Sequence, residues 1–233
     1  DNGWDDASTL TVVMNTDHEL GSLDDLAVLN GGNTAVVGGE VIQFATATLT
    51  ADRTYVLSRL LRGRFGSEAF IAGHAVGETF ILLGEGGLHH TAVDLGLRNL
   101  ARYYAAYSRT SGYLPPRPAE AITLTGRSLK PWSPVHLAAV RAGDITVSWV
   151  RRTRFGGGWL DGTGAVPLNE SSEAYEIDVL DAGGTVKRTL TASTPSVVYT
   201  QEATDFPSGG AITFKVYQMS GTVGRGYPGE VTL

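Results

Sequence analysis

Arginine supplies the densest candidate chemistry in this chain. Arg59, Arg62 and Arg64 fall within six residues, and a guanidinium fork suits carboxylates, sugars or phosphates. One reading is a loop that grips a neighbouring protein. The other lets Leu60, Leu61 and Phe65 fill a core and Gly63 and Gly66 make turns, while the arginines pair with Glu68 or with the acidic first 40 residues; charged groups at strand ends are usually solvated or locally paired, which favours this reading. A second candidate is the segment Arg151 to Glu173, where Phe155, a run of three glycines and Trp159 would present aromatics on a mobile backbone to sugar or protein, unless Trp159 folds back over its own domain. Arg62, Arg64, Phe155 and Trp159 are therefore the candidate interface residues.

Other constellations are weaker. His89 and His90, with His74 and Asp94, form the one metal-like grouping, but adjacent histidines on a strand point to opposite faces and cannot share an ion there. Asp5-Asp6, Asp24-Asp25 and Glu170/Glu173 are carboxylate pairs of the kind glycoside hydrolysis needs, yet nearness in sequence does not set the separation of two carboxyls, and solvated surface charge accounts for each. No Gly-x-Ser-x-Gly elbow, HExxH, P-loop or EF-hand pattern occurs, so neither catalysis, a metal nor a cofactor is expected.

Composition bounds what must position these residues. The 233 residues are 42% hydrophobic and 18% charged, with 30 Gly, two Met and no Cys. Many glycines and β-branched residues favour strands over helices, whose interiors lose roughly 1 kcal/mol per Gly relative to Ala. Absence of Cys excludes disulfides and thiolate sites. A net charge of −6 argues against electrostatic nucleic-acid binding, and no apolar run is long enough for a spanning helix, so no membrane insertion is expected. Charge is uneven: residues 1–40 carry eight acidic side chains and no Lys or Arg. The chain opens Asp1-Asn2-Gly3, without initiator Met or leader, and is expected to be a piece of something longer.

Period-2 patterns predict strands over 10–14, 39–50, 53–61, 78–83 and 102–108, the second and third joined as a hairpin at Ala51-Asp52. Only 92–101 has room for a helical turn or two. Pro and Gly concentrate at 111–118 and again at 130–134, placing a domain boundary near 128: a β-domain over 1–128 and a second over 129–233. Seven short strand patterns follow in about 100 residues, the density of a β-sandwich. Trp149 alternates with Val147 and Ile145 and should face inward with them. The expected class is all-β.

Two resemblances sharpen this. Residues 131–233 resemble a fibronectin type III domain, on Pro131-Trp132-Ser133-Pro134-Val135-His136-Leu137, Asp144-Ile145-Thr146-Val147-Ser148-Trp149, Tyr175-Glu176-Ile177-Asp178-Val179 and Ile212-Thr213-Phe214-Lys215-Val216-Tyr217, with Gly224 to Gly229 where that family often has a Gly-rich loop before its last strand. Ile212 stands where the family often has its corner Tyr, and residues 151–172 make an unusually long connection. The first half carries four ordered blocks: Asn30-Gly31-Gly32-Asn33-Thr34-Ala35, then Gly39-Glu40-Val41-Ile42-Gln43-Phe44, then Leu57 to Glu68 (LSRLLRGRFGSE), then His74-Ala75-Val76-Gly77-Glu78-Thr79-Phe80. In that order they resemble the C-terminal region of host-specificity or baseplate hub proteins of phage tails and gene transfer agents. Phe65 and Ser67 replace a frequent Arg and Thr of that family.

The tail resemblance implies a non-enzymatic part of a tail tip in the virion, extracellular when deployed. It implies other tail and baseplate proteins as partners, with a host-surface glycan or protein and a homo-oligomeric parent as further options. The alternative is an extracellular carbohydrate-binding module with a fibronectin spacer from a polysaccharide hydrolase, which an aromatic platform and glycan binding would favour. A glycosidase would need two buried, facing carboxylates in one cleft.

Overall fold

The computed structural model describes residues 3–15, 17–84, 92–105, 119–157 and 166–233. It is all-β: fourteen strands in antiparallel sheets and two helices of four or five residues among the described residues. The chain divides into two compact units, Asp1–His90 and Thr91–Leu233. The expected boundary near 128 lies inside the second.

The first unit holds β1 (Leu10–Val13), α1 (Asp25–Leu29), β2 (Thr34–Val37), β3 (Glu40–Ala51), β4 (Thr54–Leu61) and β5 (Phe80–Leu82). Its sheet runs β1-β4-β3-β2-β5. In a flat sheet the two outer strands would lie roughly 19 Å apart. Here Leu10 of β1 and Phe80 and Leu82 of β5 pack into the same two clusters, one around Phe44, Leu57 and Leu60, the other around Ala35, Val37 and Ile42, so the sheet is strongly curled. The β3–β4 hairpin forms as its alternation predicts. β2, too short to read between Gly-Gly-Asn and Gly-Gly, completes it.

The expectation of a half-buried strand fails for the first half of β3, which is buried on both faces from Ile42 to Ala45. One face lies in the curled core. The other is covered by α1, whose Val28 packs with Ala45 and Leu61. Asp24 caps that helix, accepting a hydrogen bond from the Ala27 amide at 2.8 Å.

The alternation of β4 also breaks usefully. Tyr55 and Leu57 face the core, and a strict period of two would put Arg59 there next. Arg59 instead takes a left-handed φ of 53°. The strand turns over at this point, Leu60 joins Leu57 in the core, and the Arg59 guanidinium emerges beside α1.

The second unit contains a two-stranded ribbon, β6 (Ala101–Tyr104) with β7 (Glu120–Thr123), and a sandwich. All eight residues of the ribbon are exposed. The expected helical turn within 92–101 is a single 3-10 turn, Leu95–Leu97, capped by Asp94. The sandwich pairs a three-stranded sheet, of β8 (Val135–Ala142), β9 (Asp144–Val150) and β12 (Ser196–Tyr199) in order β12-β9-β8, with a four-stranded one. The latter holds β10 (Tyr175–Leu180), β11 (Val186–Ala192), β13 (Thr213–Ser220) and β14 (Gly224–Thr232), in order β11-β10-β13-β14. Ile145, Val147 and Trp149 from one sheet meet Tyr175, Ile177, Val179, Phe214 and Val216 from the other in one core. Trp149 is buried, edge-on to Tyr175 at 5.0 Å between ring centroids.

One expectation is corrected. Gly224 to Gly229 is not a loop but most of β14. Its glycines serve close approach: a Cβ at Gly229 would collide with the Pro134 carbonyl oxygen, and one at Gly226 would meet the Pro131 carbonyl oxygen at 2.6 Å. The segment that precedes β8 lies on this strand and is tied to it by the Tyr227 amide, which donates to the Pro131 carbonyl at 3.0 Å.

A short helix, α2 (Glu202–Asp205), clasps the sandwich edge. Arg188 of β11 grips Asp205 with both guanidinium arms at 2.7 and 2.8 Å, and the Tyr199 hydroxyl of β12 donates to the same carboxylate. Arg141 of β8 holds Glu202. Both sheets are thus anchored to one helical turn.

Candidate functional site

Three of the four sequence blocks converge on a buried carboxylate. Glu40, at the start of β3, is fully buried. Arg62, just past β4, donates to both of its oxygens at 2.8 and 2.7 Å, the Gly63 amide donates to Oε1 at 2.7 Å, and His74 Nε2 lies 2.8 Å from Oε2. Each oxygen therefore accepts two hydrogen bonds, leaving the carboxylate no room for a proton. Burial pushes the Glu40 pKa up, but donation from Arg62, Gly63 and His74 outweighs it and holds the group below the usual carboxylate range. Arg62 is raised in turn by the Glu40 hydrogen bonds, against desolvation.

The network continues outward. Arg62 also donates to the Ile71 carbonyl at 3.1 Å and lies 3.5 Å from Asp5. His74 Nδ1 is 2.6 Å from Glu78 Oε2. With a carboxylate oxygen on each ring nitrogen, His74 has two acceptors and must donate twice, which only the imidazolium does. Its pKa is raised, chiefly by Glu78 and then by Glu40; that of Glu78 is lowered by His74.

A parallel arrangement serves the opposite face of β3. Buried Gln43 donates to the Val28 and Gly32 carbonyls under α1, and its side-chain oxygen accepts from Arg64 Nε at 2.7 Å. Ser67 accepts from the Val41 amide and donates to the Arg64 carbonyl. Arg59 reaches Asp25 with two hydrogen bonds and Asp6 with a third, and stands 4.6 Å from the centroid of the Trp4 ring.

The local reading of the arginines is thus the one the geometry supports. Arg59 and Arg62 pair with carboxylates of the first 40 residues. Of the candidate interface residues, Arg62 is an internal cross-link, with only 20% of its side chain exposed. Arg64 is anchored on Gln43, its guanidinium 5.6 Å from the Phe65 ring centroid. Phe65 does not fill the core as expected: it takes a left-handed φ of 54° and is 59% exposed. Phe155 is 70% exposed. Trp159 lies outside the described residues.

The connection that carries Phe155 is pinned at its base. Arg151 holds Glu173 at 2.9 Å, Arg154 holds Glu170 at 2.8 Å, and the Tyr175 hydroxyl donates to Glu173. Glu170 and Glu173 thereby act as anchors. Asp24 and Asp25 are likewise engaged, one as a helix cap and one with Arg59. Among the described residues no cluster of His, Asp and Glu has metal-binding geometry; His89 and His90 lie outside them, and Asp94 accepts from the Gly96 amide.

Sequence reasoning missed Glu40, Gln43 and Ser67 as members of this network. A signal existed: single polar residues interrupting the apolar rhythm of a strand, followed by an Arg-rich turn.

Residues 1–81 match the family model described as Rcc01698-like, C-terminal. No curated protein matches the chain. Among solved structures, the crystal structure of the Clostridium perfringens spore cortex lytic enzyme SleM aligns with 45% of this chain and 28% of that chain, at 18% sequence identity and a TM-score of 0.30, a likeness too slight to bear on fold or activity.

Proposed function

We propose that the chain is a non-enzymatic part of the C-terminal region of a phage or gene-transfer-agent tail protein, of the baseplate hub or host-specificity type, located at the tail tip. The observation that carries this reading is the extent of the Rcc01698-like match: residues 1–81 contain all four ordered blocks on which the tail resemblance rests. The chemistry of those blocks supports it. Glu40 and Arg62 are engaged with each other and with the backbone, and Arg64 with Gln43, so these side chains cross-link the fold in place of forming a reacting centre. A carboxylate whose four acceptor sites are filled is poorly placed to accept or give a proton.

Function then resides in surfaces, with other tail proteins or a host-surface glycan or protein as partners. Arg and aromatic side chains dominate interface energetics when a partner buries them. Phe155, on a connection pinned by two ion pairs, and Arg64 beside Phe65 are the residues to change. Particles whose parent chain carries Phe155→Ala or Arg64→Ala are expected to contain folded protein but to assemble or adsorb poorly. Turnover of a defined glycan by the isolated chain, abolished by changing a single Asp or Glu, would overturn the reading in favour of an enzyme.

A further inference from the structure

We propose that His74 is a proton-operated latch on the turn it begins. As the imidazolium it bridges Glu40, fixed on β3, and Glu78, at the far end of the same turn, and loss of one proton releases Glu78 and lets residues 73–77 open.

The geometry is that of a clasp with hinges. His74 and Glu78 close a five-residue loop at 2.6 Å, and the second ring nitrogen fastens the loop to the sheet through Glu40 at 2.8 Å. Gly73 and Gly77 flank the tip, each with a φ of 90°, and, lacking a Cβ, each can leave that conformation for others at little steric cost. Val76 between them is fully exposed, so no described residue of the first unit covers its side chain. The Glu78 carboxylate rests against Gly38, where a Cβ would come within 2.8 Å of Oε2. Backbone support is sparse: the Glu78 amide donates to the Ala75 carbonyl at 3.4 Å and the Gly38 amide to the Thr79 carbonyl at 3.4 Å.

The charged groups around the ring decide which contact is lost. Glu40 faces it from β3, Arg62 stands behind Glu40 at the end of β4, Asp5 adjoins Arg62, Glu68 packs beside Gly63, and Glu78 completes the set. A neutral imidazole keeps one N–H. Leaving buried Glu40 short of a donor is costly, whereas Glu78, with 29% of its side chain exposed, can take water in exchange. The proton therefore stays on Nε2, and the Nδ1 lone pair repels Glu78.

The test is a titration of the whole chain, from about pH 5 to about pH 9, following the His74 ring and the amides of Ala75, Val76 and Gly77 by nuclear magnetic resonance. The His74 midpoint is expected above the ordinary histidine value, with the three amides moving at the same midpoint while those of β3 and β4 stay still. In Glu78→Gln the midpoint should fall by about one pH unit and the amides should follow it down. A His74 midpoint at or below the ordinary value, or loop amides that ignore it, overturns the latch. The unmodified chain decides this even if the variant folds poorly.

Discussion

Around Glu40, removing one partner of a buried pair strands the other charge, which typically costs 3 to 5 kcal/mol. Arg62→Ala should lower the stability of the first unit by about that amount, read by urea unfolding. A loss under about 1 kcal/mol would mean that water reaches Glu40 freely. The pH response has two limbs. Glu40 and Glu78 are lowered in the fold, so their contribution is complete above the ordinary carboxylate value, about 4.3, and is lost as pH falls through their folded values. His74 is raised, so its contribution is complete below about 6.5 and is lost as pH rises through its folded value. The first unit should therefore be most stable at about pH 5 to 6, and a flat profile from there to about pH 9 would contradict the His74 bridge. Pairing of the arginines with the acidic first 40 residues was legible beforehand; which carboxylate each would meet, and that His74 would join them, was not. Glu40, Arg62 and His74 are 22 and 12 residues apart in sequence, and pairing at that distance is set by how the sheet curls, not by local pattern. What could be read was the type of use: charged groups beside a strand end pair locally.

The strands of regular alternation were the legible elements. β10 coincides with the alternating pattern at 175–180, and β3, β4, β9 and β13 differ by one residue at their ends from the patterns at 39–50, 53–61, 145–150 and 212–219. Elements shaped by a neighbour were not. β2 and α1 span four and five residues, below the length at which a period shows, and both exist because β3 needs cover. β14 reads as a loop because Gly226 and Gly229 answer to the backbone of Pro131 and Pro134 across from them, not to their own strand's propensity. Two substitutions test the sandwich. Trp149→Ala should cost about 3 to 5 kcal/mol in the second unit, since it empties an aromatic's space in a core shared by both sheets. Tyr199→Phe, which removes only the hydroxyl that reaches Asp205, should cost about 1 kcal/mol. A loss of about 3 kcal/mol or more from Tyr199→Phe would show that its bond to Asp205 holds far more than an ordinary hydrogen bond.

Two compact units with separate cores need not melt together. Calorimetry of the whole chain is expected to resolve two transitions, only one of which, that of the first unit, moves down between about pH 6 and about pH 9, because His74 belongs to it. A single transition that shifts as a whole would show the units to be coupled. The ribbon of β6 and β7 adds a consequence of its own. A two-stranded ribbon with every residue exposed has almost no apolar burial to resist opening, and segments that open at little free-energy cost are where peptide bonds are cut first. Arg102, Tyr103 and Tyr104 offer trypsin and chymotrypsin their preferred side chains there. Brief digestion should nick this ribbon before either folded body, and the protected pieces would mark on a gel where each core begins.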